Sequence, residues 1–245
     1  MWSAGGGASQ ANENGSINTT NQIVSSITQF SISKFTGTGA NATVGHGLSG
    51  VDFLILKHTD ATNTSTPVWH TKLANSTTGY LFLDKTNAEA TSATAWNSTA
   101  PSSTLVSLGS SSTFNASSQV YYLYCWNSVV GFSDFGKYYG TGSATTLPLA
   151  SLGFKPSLVL IKKINSTGNW LVYDNYRSTF NEIDDQLLLT NAAETTGSEE
   201  INFLSTGFAA AATDADINAS GSTYVYAAWA TNPFGGDSTT PSTSF

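Results

Sequence analysis

The sequence predicts an all-β protein made of two similar tandem β-sandwich units of jelly-roll type, related by an internal duplication. Three observations carry this prediction. A strand-like stretch occurs twice, as Asn115-Ala-Ser-Ser-Gln-Val-Tyr-Tyr-Leu-Tyr-Cys-Trp126 and Asn218-Ala-Ser-Gly-Ser-Thr-Tyr-Val-Tyr-Ala-Ala-Trp229, with the same order of turn, tyrosine and closing tryptophan. No segment sustains helical spacing. The best, Asn87 to Ala95, is Ala-rich but broken by Thr and Ser, and supplies a turn or two at most. Many short apolar runs separated by Gly, Asn and Ser complete the pattern of a sandwich.

The repeated stretch is apolar and aromatic without interruption, which predicts a strand covered on both faces. Strand alternation sends Tyr122, Tyr124 and Trp126 one way and Tyr121, Leu123 and Cys125 the other. Ahead of it, Ile23 to Phe35 tends to alternate and reads as one strand or two. Gly37-Thr38-Gly39 and Gly45-His46-Gly47 read as turns. Val51 to Lys57, Val68-Trp69-His70, Tyr80 to Leu83 and Thr104 to Leu108 read as further strands.

The second half repeats this order. Lys34 to Gly39 matches Lys137 to Gly142, and Phe53 to Lys57 matches Leu158 to Lys162. Trp69-His70 falls opposite Tyr173-Asp174, and Leu81 to Leu83 opposite Leu187 to Leu189. The domain reading is an arm at 1–27, repeats at 28–130 and 131–235, and a tail at 236–245.

Of the 245 residues 40% are hydrophobic and 12% aromatic, enough for a packed interior. Only 10% are charged, against about 25% in ordinary soluble domains, so Ser, Thr, Asn and Gly must cover the surface. With a net charge of -7 and no Lys/Arg cluster, nothing neutralises phosphates, which excludes a nucleic-acid partner. No apolar run is long enough for a membrane span. Cys125 stands alone and reads as a small buried hydrophobe. The N-terminus has neither the basic nor the apolar region of a secretory signal, so the chain is expected either to be exported by another route or to leave the cell by assembly and lysis.

Met1 to Thr20 is rich in Gly, Ser, Asn and Gln. Fixing its backbone costs about 1–2 kcal/mol per residue, and burial of its own side chains returns little. Order must then come from a neighbouring subunit, with Trp2 as the candidate anchor, which predicts a homo-oligomer, trimeric or higher.

Asp214-x-Asp216-x-Asn218 sets oxygen ligands at alternate positions, as a calcium loop does, yet the following Gly is displaced and no bidentate Glu follows. A turn ahead of a strand is the better reading, and no metal is expected. Glu182, Asp184 and Asp185 form an acidic knot that reads as a solvated loop. His46, His58 and His70 lie in the first copy without any nucleophile-elbow pattern. Trp69, Trp96, Trp170 and Tyr173 are sugar-stacking candidates if exposed, with core packing as the default role of each. No catalytic residue and no cofactor is expected.

Gly37-Thr38-Gly39, Val44-Gly45-His46-Gly47-Leu48, Asp52 to Lys57 and Trp96 to Pro101 in the first half carry a resemblance. In the second half it continues through Gly153 to Pro156, Gly168-Asn169-Trp170, Ile217 to Gly221, Tyr224 to Trp229 and Asn232-Pro233-Phe234. Over residues 28–235 the chain resembles a duplicated β domain found in virion and tail-fibre proteins of marine bacteriophages. The resemblance implies a non-enzymatic virion structural role, as a fibre, tail appendage or capsid decoration, with other virion proteins as partners. The alternatives are a glycan-binding receptor-recognition module on a host surface and, more remotely, a glycoside hydrolase or lyase. A shallow groove with exposed aromatic rings and Asn/Asp side chains would mark the glycan-binding module; a deep cleft with paired acids would mark the hydrolase.

Overall fold

The computed structural model describes residues 9–59, 65–190 and 193–231, the side chains of 193–199 excepted. Two compact units emerge, the first from residues up to Leu83 and Glu89–Ser128, the second from Asp84–Ala88 and from Val129 onward.

The first unit contains β1 (Asn21–Ser25), β2 (Phe30–Thr36), β3 (Ala42–Gly45), β4 (Phe53–His58), β5 (Pro67–His70), β6 (Gly79–Phe82), β7 (Ala90–Thr91), β8 (Leu105–Leu108), one helical turn α1 (Ser112–Asn115) and β9 (Val120–Trp126). Its main sheet runs β1-β2-β9-β4-β5-β6-β7, and β3 pairs with β8. The second unit contains β10 (Ser133–Tyr139), β11 (Leu149–Ser151), β12 (Pro156–Lys163), β13 (Trp170–Asp174), β14 (Ile183–Leu188), β15 (Ala193–Leu204), β16 (Gly207–Ala210) and β17 (Thr223–Ala230). These form one sheet in the order β10-β17-β12-β13-β14-β15-β16-β11. Its first and last strands lie beside each other, so the sheet is nearly closed and barrel-like.

The fold is all-β, and the duplication is visible in its ladders. The Trp126 strand lies between β2 and β4, and the Trp229 strand between β10 and β12. Phe53 pairs with Trp126 and His70, as Leu158 pairs with Trp229 and Asp174. Val68 meets Leu81 as Val172 meets Leu187. Strands β2, β4, β5 and β9 therefore have the places and registers of β10, β12, β13 and β17, as the sequence repeat expects.

Strand β17 is buried along both faces from Tyr224 to Ala230, as its apolar run predicts. Strand β9 differs. Tyr121, Leu123 and Cys125 are fully buried, whereas Tyr122 and Tyr124 on the opposite face are half-buried. Burial pushes the Cys125 thiol well above its usual range, which makes it an inert packing residue.

The same bracket closes one end of each unit. Tyr121 Oη donates to Ser112 O (3.0 Å) and accepts the Ala116 N–H (2.8 Å). Tyr224 Oη donates to Ala215 O and accepts the Ala219 N–H, both at 2.8 Å. Phe35 stacks on Tyr121 and Tyr138 on Tyr224, with centroids 5.3 and 5.0 Å apart. Beside each bracket a buried Asn reaches into the Gly-Thr-Gly turn. Asn115 Oδ1 accepts the Thr38 N–H (2.9 Å) and Asn218 Oδ1 that of Thr141 (2.7 Å). A Cβ on Gly37 or Gly140 would strike the carbonyl of Ala116 or Ala219, and Gly39 and Gly142 have positive φ, so these turns need glycine.

Asn218 also donates through Nδ2 to Ser143 O (3.1 Å) and Ala212 O (2.9 Å). Replacing it by Ala leaves several partly buried backbone groups without their partner, at about 1 kcal/mol or more each. We expect Asn218→Ala to cost about 3 kcal/mol in urea denaturation; a loss below about 0.5 kcal/mol would show that Asn218 does not hold the turn.

The arm departs from expectation. Residues 9–20 lie on their own unit, and β1 is an edge strand of its sheet rather than part of a free arm over 1–27. Gln10 and Gln22 exchange backbone hydrogen bonds, and the Ile17 N–H donates to Thr43 O (2.9 Å). Asn12 N–H donates to Thr19 Oγ1 (2.7 Å) and Ser16 N–H to Thr43 Oγ1 (2.9 Å). Side-chain-to-backbone bonds, which Ser, Thr and Asn readily form, supply the order that side-chain burial does not. Trp2 and the tail at 236–245 lie outside the described residues.

Candidate functional site

The four sugar-stacking candidates are all core residues. Trp69, Trp96, Trp170 and Tyr173 are 3%, 0%, 1% and 0% exposed, so no ligand ring can reach them. Trp69 Nε1 donates to Ser76 O and Trp96 Nε1 to Gly79 O. Tyr173 Oη donates to Gln186 Oε1 (2.8 Å), which fits the rule that buried aromatic polar tips find partners.

The calcium candidates do not converge either. Asp214 Oδ1 accepts the Asp216 N–H (2.7 Å), and Asn218 is absorbed in its turn. Asp216 Oδ2 accepts the Asn169 N–H (3.2 Å) and Nδ2 (2.8 Å), while Lys163 Nζ stands 3.8 Å from Oδ1. A lysine ammonium thus sits beside the carboxylate that a calcium ion would need as a ligand. Among the described residues no three His, Cys, Asp or Glu side chains are grouped to hold a metal ion.

Next to it, Lys162 is fully buried. Its Nζ donates to Lys163 O (2.8 Å), Gly168 O (2.9 Å) and Thr86 O (3.2 Å). Burial pushes its pKa down to about 8, with the Asp216 carboxylate pulling upward and Lys163 pushing further down. Its repeat equivalent, Lys57, is exposed and donates to Thr66 Oγ1. Three carbonyls around one ammonium make a structural clamp.

The histidines hold loops. His46 is fully buried, and its Nδ1 accepts the Leu48 N–H (3.2 Å); His70 Nδ1 accepts the Lys72 N–H (3.0 Å). His58 packs against the Tyr121 ring at 4.7 Å. Burial lowers the His46 pKa below 6.5, against a backbone bond at Ser102 that raises it. A histidine depressed in the folded state takes up its proton more readily when unfolded, so stability falls as pH drops below about 6.5. We expect urea midpoints to decline from pH 7 to 5, and less steeply in His46→Gln; parallel slopes would remove His46 as the cause.

One open cleft carries the features of a recognition site. Its volume is about 490 Å³, and Ser157, Leu158, Asp174, Tyr176 and Arg177 line it. Strands β12 and β13 set its base, because Leu158 and Asp174 are cross-strand partners. Leu158 was aligned with the buried Phe53 but is only half-buried here. Asp174 begins a tight turn, its Oδ1 accepting the N–H of Tyr176 (3.0 Å) and of Arg177 (2.9 Å). Arg177 Nη1 donates to Asp174 Oδ2, which leaves the pair neutral. The turn throws the Tyr176 ring outward, 88% exposed, and Phe180 on the same loop is 84% exposed. In the first unit, His70 accepts at the place of Asp174, and Lys72 stands in the place of Tyr176. The aromatic cleft is therefore a feature of the second copy.

The acidic knot is partly structural. Ser178 Oγ lies 3.2 Å from carboxylate oxygens of both Asp184 and Asp185, and it accepts the Asp185 N–H (3.1 Å). Asn181 exchanges two 2.9 Å bonds with the Phe203 backbone. These bonds anchor the loop that displays Tyr176 and Phe180. Burial and the neighbouring Glu182 and Asp184 charges raise the pKa of Glu200, which lines a second open cleft with Asp214.

Fold and cleft together define a duplicated all-β module whose second unit carries an exposed aromatic cleft. The chain belongs to the family described as a domain of unknown function, DUF7483, whose model matches residues 1–233. No curated protein and no solved structure matches it.

Proposed function

We propose that this chain is a non-enzymatic virion protein of a bacteriophage whose second unit recognises a neutral host-surface glycan. The observation that carries the recognition is the Tyr176 ring at the mouth of the cleft. Tyrosine offers a large, rigid, amphipathic contact at low entropic cost, and its face suits the C–H face of a sugar ring. Beside it the Asp174–Arg177 fork and Ser157 present polar atoms at the scale of sugar hydroxyls. Internal neutralisation of the fork, and the chain's net charge of -7, disfavour an anionic polysaccharide. The particle setting rests on the resemblance of residues 28–235 to virion and tail-fibre domains, and it makes the virion the site of action.

A glycan array probed with the purified chain tests this reading. Wild type should bind at least one neutral saccharide, and Tyr176→Ala should lose tenfold or more in affinity with an unchanged melting temperature. Truncating an exposed ring costs little stability, so misfolding will not obscure the result. Equal binding by the variant, or no binding to any saccharide, would count against glycan recognition here.

A further inference from the structure

Asn14-Gly15 is the one Asn-Gly step in the sequence, and in the first unit it stands at the tip of a closed loop. The Thr19 N–H donates to Asn12 O (3.0 Å) and the Asn12 N–H to Thr19 Oγ1 (2.7 Å), which shuts the loop at its base. The Asn14 N–H donates to Asn12 Oδ1 (2.9 Å), and the backbone bends at residues 14–16. Asn14 is exposed. Among the described residues neither its side-chain amide nor the Gly15 N–H has a hydrogen-bond partner.

Those two groups react with each other in unhindered chains. The backbone nitrogen that follows an asparagine attacks the side-chain carboxamide and closes a five-membered imide. A side chain on the following residue obstructs the attack, and glycine has none. Other asparagines are guarded. Asn127 and Asn165 precede Ser128 and Ser166, and their amides donate to Ser49 Oγ and Gly221 O. Asn115 and Asn218 are fully buried.

We propose that Asn14 is a self-modifying site, which converts without an enzyme to aspartate and isoaspartate and so loosens residues 14–17 from β3. The Gly15 nitrogen bonds to Asn14 Cγ, the Cγ–Nδ2 bond breaks, and ammonia leaves with the proton of the Gly15 N–H. Water then opens the imide. Attack at the side-chain carbonyl gives aspartate. Attack at the former backbone carbonyl gives isoaspartate, whose main chain runs through the old side chain and is one methylene longer. The fold has no room for that methylene. A Cβ on Gly15 would strike the Thr43 carbonyl and the Val44 Cα, so the chain lies directly on β3 here. The next two residues hold it there. The Ser16 N–H donates to Thr43 Oγ1 (2.9 Å), Ser16 Oγ accepts the Thr43 N–H (2.8 Å), and the Ile17 N–H donates to Thr43 O (2.9 Å). Ile17 is buried and bridges Val44. A longer backbone immediately before these bonds shifts their register, and the new carboxylate adds a charge beside Glu13. The Asn12–Thr19 bonds and the β1–β2 ladder keep the rest of the segment in place, so the opening is local. The result is a slow, one-way switch that does not involve the aromatic cleft.

The test follows the full chain through prolonged incubation in mildly alkaline buffer. Peptide mass spectrometry measures conversion at Asn14, with the exposed Asn97, which Ser98 follows, as internal reference. Amide hydrogen exchange follows Ser16, Ile17 and Thr43. Asn14 should convert at least tenfold faster than Asn97, with isoaspartate among the products. Protection of the three amides should fall at least tenfold in the converted fraction. Asn14→Gln, whose longer side chain closes a six-membered imide only slowly, should keep both its melting temperature and its protection. Conversion of Asn14 no faster than that of Asn97, unchanged protection after conversion, or an equal loss of protection in Asn14→Gln would each overturn the proposal.

Discussion

Truncating Trp126 to alanine is expected to lower the unfolding free energy of the first unit by about 3–5 kcal/mol. The indole is 5% exposed and lies between Phe30 and Phe53, its partners on the two flanking strands. Their ring centroids are 4.8 and 5.4 Å away. Each aromatic pair contributes about 0.5–1.5 kcal/mol beyond simple burial. In the second unit Trp229 has Ser133 and Leu158 as cross-strand partners, with Phe135 edge-on at 5.6 Å. Trp229→Ala should therefore fall at the lower end of the range and Trp126→Ala at the upper end. Chemical denaturation of both variants checks the order. A loss near zero for either would remove that tryptophan from the core.

Lys162→Met should cost the second unit about 3 kcal/mol, and two opposing effects set the figure. Methionine keeps the length but leaves the carbonyls of Lys163, Gly168 and Thr86 without their buried donor, at about 1–3 kcal/mol each. Against this, the variant no longer buries a charge, a penalty of about 3 kcal/mol for a pKa lowered to about 8. The pH dependence separates them. A lysine whose folded pKa is lowered binds more protons when unfolded, so its contribution to stability rises with pH from about 8 to its unfolded value near 10.4. The stability gap between wild type and Lys162→Met should widen across that window. A constant gap would mean that the ammonium is not desolvated as its burial implies.

The all-β class and the duplication were legible because the repeat left the same side chains at the same strand positions. Matching Trp126 to Trp229, His70 to Asp174 and Lys57 to Lys162 also aligned their ladders. Environment was not legible from such matches. Lys57 and Lys162 share a register, yet one is solvated and the other meets the Thr86 and Gly168 carbonyls, which come from loops. Asn115 and Asn218 were visible as turn residues, but their long reach to the Gly-Thr-Gly turns was not. The order of residues 9–20 was not legible from burial, because Asn, Ser and Thr hold that polar segment through bonds to the backbone. Of the stacking candidates, Trp69, Trp170 and Tyr173 lie on core strands, and Trp96 is buried from a turn between β7 and β8. The usable signal was Tyr176 and Phe180 among Asn, Arg, Ser and Thr between two strands, where an aromatic ring has no core to enter.

Recognition at that loop is the central claim, and chemical-shift mapping during titration with an array-selected neutral saccharide tests it most directly. The account predicts saturable shifts at Ser157, Leu158 and Asp174 to Ser178, absent in Tyr176→Ala. Shifts centred elsewhere, or no shifts at millimolar saccharide, would contradict it.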